Sequence, residues 1–225
     1  MPSASILRET YALRCVISLP GRHASCSGPW RVLCFLHGDG EAADYTGPGK
    51  LHKDCFAALH AHGPLRFGSS PRTNDFIVVA PQLPGRGGDV WKDYAVSVKE
   101  ILLALNEEFN ADLRRTYLSG FSYGANGVFE ISDLQEGQWA ALWPVDAPRP
   151  FRQDSRRPSV WLWYGTDTQP GNEETASGFI AVRPEEKYPM GDKLVSKTGK
   201  GHVPTAIQAY KDSRVYRWLS EKACL

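Results

Sequence analysis

The segment from Tyr117 to Val128, Y-L-S-G-F-S-Y-G-A-N-G-V, constrains the fold more than any other stretch. A short β-branched and aromatic run, Arg115 to Ser119, has the character of a buried strand. Ala125 to Ser132 can continue as a helix. Between them lies Gly120-Phe121-Ser122-Tyr123-Gly124, a G-x-S-x-G pattern. In a strand–turn–helix context, this pattern lifts a serine hydroxyl clear of the sheet on a strained backbone. The two glycines lack Cβ atoms where strand and helix come closest. The helix start places backbone N–H groups and positive dipole beside the serine.

The rest of the chain alternates strands with helices. Strands are expected at Tyr11 to Leu19, Arg31 to Leu36 (R-V-L-C-F-L), Phe76 to Ala80 (F-I-V-V-A), Ala140 to Val145, Val160 to Tyr164 (V-W-L-W-Y) and Leu194 to Lys197. Helices are expected at Leu51 to His62, Tyr94 to Phe109 and Arg214 to Lys222. The second is the clearest. Tyr94, Val98, Ile101, Leu102, Leu105 and Phe109 make one apolar stripe at helical spacing. This alternation predicts a mostly parallel sheet with helices on both faces. With 225 residues and no repeat or linker, residues 1–225 read as one α/β domain.

Ligands of such sheets bind beyond the carboxyl ends of the strands. Four separate loops bring polar groups to that edge: Asp39, Ser122, Asp167 and His202 each follow a strand. A serine hydroxyl needs a base, and the base needs an orienting group. Histidine suits the base, and a carboxylate holds the imidazole and stabilises its charged form. Ser122, Asp167 and His202 occur in the order nucleophile, acid, base. Asp146, in W-P-V-D, also follows a strand and is the alternative acid. A tetrahedral oxyanion would take the Tyr123 N–H and the Asp39 N–H, each donor contributing roughly 2.7–4 kcal/mol to lowering the barrier. The Asp39 carboxylate must then turn away and can bind a loop N–H.

L-H-G-D-G, A-P-Q-L-P-G, G-F-S-Y-G-A-N-G, Y-G-T-D-T and G-H-V-P-T together resemble the α/β-hydrolase superfamily. Within it, the chain is similar to small lid-less serine esterases of the phospholipase/carboxylesterase type and to polyhydroxybutyrate-depolymerase-like esterases. The resemblance covers roughly Arg31 to Leu219. It implies an eight-stranded sheet, no cofactor, and hydrolysis of carboxylic esters or thioesters through an acyl-enzyme. By position it makes Ser122 the nucleophile, Asp167 the acid and His202 the base, with oxyanion N–H groups from Asp39 and Tyr123. Asn126 departs from the small residues usual after the elbow and is placed to hydrogen-bond a neighbouring loop. Only about fifteen residues separate Val145 from Val160, too few for a full cap.

Trp91, after the Gly-rich loop from 82 to 90, and Tyr164, beside the acid loop, are candidate walls of a substrate cleft. The other tryptophans at 139, 143, 161 and 163 read as core or cleft wall. His37 reads as a structural group under the oxyanion loop, and His23, His52, His60 and His62 as surface residues. His52, Cys55 and His62 lack zinc spacing, so no metal is expected. P-G-R-G-G-D lacks the Lys-Ser/Thr of a phosphate-binding loop. With 26 basic and 25 acidic residues, the net charge of +1 argues against a nucleic-acid partner. No apolar run is long enough to span a bilayer, and residues 1–10 hold no apolar secretory signal. Five cysteines without C-x-x-C spacing suggest free thiols and a cytoplasmic setting. The expected substrate is a small-molecule ester of small to medium acyl chain. A thioesterase, lactone hydrolase or peptidase with the same triad, or a non-catalytic binding protein on this scaffold, are the competing readings.

Overall fold

The computed structural model describes residues 5–9, 11–21, 23, 28–43, 55–67, 75–152, 154–169 and 171–224. Its strands are β1 (Ser5–Arg8), β2 (Cys15–Ser18), β3 (Trp30–Leu36), β4 (Phe76–Pro81), β5 (Ala111–Phe121), β6 (Ala141–Val145), β7 (Ser159–Gly165), β8 (Ile180–Ala181) and β9 (Lys193–Thr198). Its helices are α1 (Cys55–Leu59), α2 (Ala95–Phe109), α3 (Tyr123–Leu134), α4 (Gly171–Thr175), α5 (His202–Lys211) and α6 (Ser213–Ser220).

The strands form one sheet in the order β1-β2-β4-β3-β5-β6-β7-β9-β8. β1 and β2 run antiparallel at one edge, and β4 through β8 are parallel. The resemblance implied eight strands and the sequence located seven; β1 and the two-residue β8 are the ones it did not mark, both being short. Along β3, Val32, Cys34 and Leu36 face one apolar layer and Leu33 and Phe35 the other. The first layer holds α2 and α3 residues such as Val98, Leu105 and Val128. The second holds Leu59 of α1, Ala206 and Tyr210 of α5, and Trp218 of α6. A strand buried on both faces reads as a continuous apolar run, which is why V-L-C-F-L and F-I-V-V-A are legible. Trp161 and Trp163 pack into the second layer while Leu162 and Tyr164 turn to the opposite side, as alternation requires.

Helix α2 buries Val98, Ile101, Leu102, Leu105 and Phe109, the stripe expected of it. It ends at Asn110, whose φ of 54° and N–H bond to Asn106 O close the last turn. Helix α1 is shorter than the 51–62 span read from the sequence, and residues 51–54 lie outside those described. The segment after Gly201, read as a loop, is helix α5 and begins at His202 itself. Between β6 and β7, residues 146–158 hold no helix or strand among those described, so no large cap is inserted there among them. No helix among the described residues is long and apolar enough to cross a membrane. Cys15, Cys34 and Cys224 are free; Cys26 and the Cys55 side chain lie outside what is described.

Candidate active site

Ser122 sits between β5 and α3 with φ 58° and ψ −125°, a conformation L-residues rarely hold. Its neighbours allow no relaxation. The Ser122 N–H donates to Val145 O at 3.0 Å, and Ser122 O accepts from Ala125 N at 2.8 Å. A Cβ on Gly124 would collide with Leu36 O and His37 O, and one on Gly120 with the Gly124 carbonyl. The two glycines therefore let β3, β5 and α3 converge beneath the serine.

The acid beside His202 is Asp146. Its Oδ2 lies 2.5 Å from His202 Nδ1. The other oxygen, Oδ1, accepts from Thr168 Oγ1 at 2.6 Å, Gly165 N at 3.2 Å and Asn172 Nδ2 at 3.3 Å. Asp146 is fully buried while the His202 side chain is 32% exposed. Four donors around one buried carboxylate compensate its desolvation and fix its direction. His202 is thus bonded by Asp146, the alternative acid, and not by the expected Asp167. Asp167 is exposed in the turn after β7, and that turn serves Asp146 through its neighbours Gly165 and Thr168. Asp146 has φ 54°, in the left-handed region that non-glycine residues seldom adopt. With Nδ1–H directed at Asp146, His202 keeps Nε2 for the proton of a nucleophile. The His202 ring packs on Phe121, the residue before Ser122, at 4.4 Å between centroids. The Ser122 hydroxyl makes no hydrogen bond to a described residue; catalytic contacts of this kind commonly tighten only around substrate.

The turn Gly38–Glu41 after β3 lies against the elbow. A Cβ on Gly38 would stand 3.3 Å from Ser122 Cβ. Asp39 and Tyr123 each begin a helical turn, where the backbone supplies no internal acceptor for their N–H groups. The Asp39 carboxylate turns aside and accepts from Gly88 N at 3.0 Å. His37 braces the turn from below. Leu83 N donates to His37 Nε2 at 3.0 Å, so the ring is the neutral Nδ1–H tautomer and that proton goes to Gly38 O at 2.5 Å. Burial pushes the His37 imidazole below its usual value, in keeping with that neutral state. Gln82 Nε2 donates to Glu41 O at 2.9 Å, and Ala43 N to Leu83 O at 2.9 Å. The stretch from 82 to 90 thus clamps the Gly38–Glu41 turn.

Trp91 and Tyr164, expected at a cleft wall, are both core. Trp91 is 0% exposed and its indole N–H donates to His37 O at 2.9 Å. It packs against Gly127 of α3, where a Cβ would meet Trp91 Cγ at 2.9 Å. Tyr164 is buried on the face of β7 opposite Trp163, with Lys197 Nζ 5.3 Å from its ring centroid. Tyr164 lies one residue before the end of β7, where alternation turns it to the face opposite Trp163, and Trp91 opens the helical turn Trp91–Tyr94 that follows the Gly-rich loop. Asn126 bonds the neighbouring loops: its Nδ2 donates to Asp89 Oδ2 at 2.9 Å and its Oδ1 accepts from Arg149 N at 3.3 Å. Among the described residues no group of three or more His, Cys, Asp or Glu could hold a metal ion.

His62, read as a surface residue, instead bonds the buried Glu41 through Nδ1. No spacing rule marks this pair, because its members lie 21 residues apart on two irregular segments.

No family model matches the chain. It is 29% identical over 111 residues, 47% of its length, to a bifunctional acetylxylan esterase/xylanase of Neocallimastix patriciarum, and spans only 16% of that protein. Its structure resembles that of a thermostable esterase with a TM-score of 0.65 at 15% identity, covering 99% of this chain and 63% of the other. It also resembles the fluorophosphonate-binding serine hydrolase F of Staphylococcus aureus, with a TM-score of 0.64 at 14% identity, covering 97% and 99%. The sheet order and these likenesses give the chain the α/β-hydrolase fold.

Proposed function

We propose that the chain is a serine hydrolase of the carboxylesterase type, cleaving esters of small to medium acyl chain. The observation that carries this reading is the bond of His202 Nδ1 to the buried Asp146, set beside a serine held at positive φ on a strand-to-helix turn. In the proposed reaction, His202 Nε2 takes the Ser122 proton as Oγ attacks the ester carbonyl carbon. The Asp39 and Tyr123 N–H groups receive the negative charge that develops on the carbonyl oxygen. Collapse of the tetrahedral intermediate breaks the bond to the alkoxy oxygen, which leaves with the proton from His202. A water molecule then gives a proton to His202 and attacks the acyl-serine; collapse returns that proton to Ser122 and frees the acid. The negative charge of Asp146 stabilises the imidazolium formed in each half.

The esterase names of the similar proteins support ester cleavage over a peptidase or a binding role. The test is hydrolysis of p-nitrophenyl acetate and butyrate, with Ser122→Ala as control and a fluorophosphonate probe as label. Turnover and labelling that both vanish in Ser122→Ala are expected. An unlabelled, inactive wild-type protein would point to a binding role instead.

A further inference from the structure

A second imidazole–carboxylate pair borders the serine. Glu41 closes the oxyanion turn, and its Oε1 bonds His62 Nδ1. The Glu41 side chain is 6% exposed and that of His62 25%. The other oxygen of Glu41 lies beside Gly38, as Ser122 does. A Cβ added to Gly38 would stand 3.1 Å from Glu41 Oε2 and 3.3 Å from Ser122 Cβ, so both crowd the same side of Gly38. Phe121 links both pairs. Its ring lies 5.5 Å from that of His62 and 4.4 Å from that of His202.

The two carboxylates are equipped differently. Asp146 takes donors on both oxygens, three of them besides His202. Glu41 takes one side-chain donor, on Oε1, and no donor among the described residues reaches Oε2. Glu41 Oε2 is not among the fully enclosed side-chain oxygens, so it remains reachable as an acceptor. A hydroxyl supplies a donor at little desolvation cost, and His62 Nε2 stands ready for a second polar contact.

We propose that Glu41 and His62 form a hydroxyl-binding subsite, so that the enzyme favours esters whose alcohol part carries further hydroxyl groups. The alcohol side is indicated by Phe121, which places His62 one ring away from His202, the group that protonates the departing alkoxide. Glu41 Oε2 accepts from one hydroxyl, and His62, oriented by Glu41 Oε1, bonds the next. The inference rests on the hydrolase reading above and adds the class of alcohol.

The experiment compares kcat/KM for glycerol monoacetate and for propyl acetate, two esters with the same carbon skeleton. p-Nitrophenyl acetate, run on the wild type, separates the two ideas. If it is not cleaved, the hydrolase reading fails first. If it is cleaved, the wild type should favour glycerol monoacetate by about tenfold or more, since a polar site left unpaired penalises the analogue lacking the hydroxyl. The ratio should fall towards one in Glu41→Leu/His62→Leu, which removes both polar groups together and strands no charge. Glu41→Gln keeps an acceptor for His62 but replaces the free carboxylate, and should lower the ratio even if the double variant folds poorly. Using the ratio within each variant cancels any general loss of activity. A wild-type ratio near one, or a ratio unmoved by Glu41→Gln, overturns the subsite. So does faster cleavage of acetylcholine than of glycerol monoacetate, which would make the carboxylate a cation site.

Discussion

Gly165, the last residue of β7, lies so close to the chain before His202 that a Cβ on it would collide with Lys200 O and stand 2.8 Å from Thr205 Oγ1. The glycine is therefore the contact through which the sheet sets the depth of the histidine. Gly165→Ala should push Lys200 to His202 outward. Overpacking of this kind costs about 1–3 kcal/mol, and a misplacement near 1 Å costs on the order of 100-fold in rate. Urea unfolding should show the first effect. The second should appear as a fall in kcat on p-nitrophenyl acetate at a temperature where the variant is still folded.

The bond from Asp146 to His202 separates two carboxylates that the sequence could not. Asp146→Asn should cost about 10⁴ in kcat by favouring the wrong imidazole tautomer. Asp167→Asn, at an exposed position, should leave kcat within about twofold, as surface substitutions away from special features usually do. Paired steady-state assays on one substrate decide this. The reverse ranking would restore Asp167 as the acid and sink the present assignment.

That ambiguity shows where legibility stops. V-L-C-F-L, F-I-V-V-A and the α2 stripe are readable because continuous burial and helical spacing leave patterns in single segments. The G-x-S-x-G turn is readable because only glycine tolerates the approach of β3, β5 and α3. The acid is different: both Asp146 and Asp167 end strands, and the choice depends on the φ of 54° at Asp146 and on donors from Gly165, Thr168 and Asn172. Trp91 and Tyr164 failed for a related reason. Position along a strand end is visible in sequence, but the side of the sheet to which a neighbouring loop turns its ring is not. The Glu41–His62 pair leaves no local signature at all, since each half is an ordinary polar residue in an irregular stretch.

Asp39 should act through the shape of its turn. Its Oδ1 accepts from Gly88 N at 3.0 Å, which ties the oxyanion turn to the Gly-rich clamp. Asp39→Ala removes that tie while keeping the backbone N–H. A hydrogen bond to a charged group contributes about 1.5–3 kcal/mol, and a loosened donor gives up part of its hold on the oxyanion. The expected result is a fall of about 10- to 100-fold in kcat with little change in KM. Asp39→Asn retains an acceptor for Gly88 and should recover most of the rate. Equal losses in both variants would show that the carboxylate charge, and not the tie to Gly88, matters.

His37 should give the protein an acid-sensitive stability. The ring is buried, accepts from Leu83 N and is held below the usual histidine value of 6.5 by desolvation. In the unfolded chain the same imidazole takes a proton at its ordinary value. Between that value and the lower folded one, the unfolded state binds more protons, so stability rises with pH through the window. The stabilisation is complete above about pH 6.5. It is lost as the pH falls towards the folded value, because protonated Nε2 can no longer accept from Leu83. His37→Gln offers a side-chain oxygen to Leu83 N and does not titrate. Thermal unfolding midpoints measured from pH 8 to pH 5 should therefore fall more steeply for the wild type than for His37→Gln. Parallel curves would mean that this imidazole is not the source of any acid sensitivity and that its neutral, turn-bracing role is wrongly assigned.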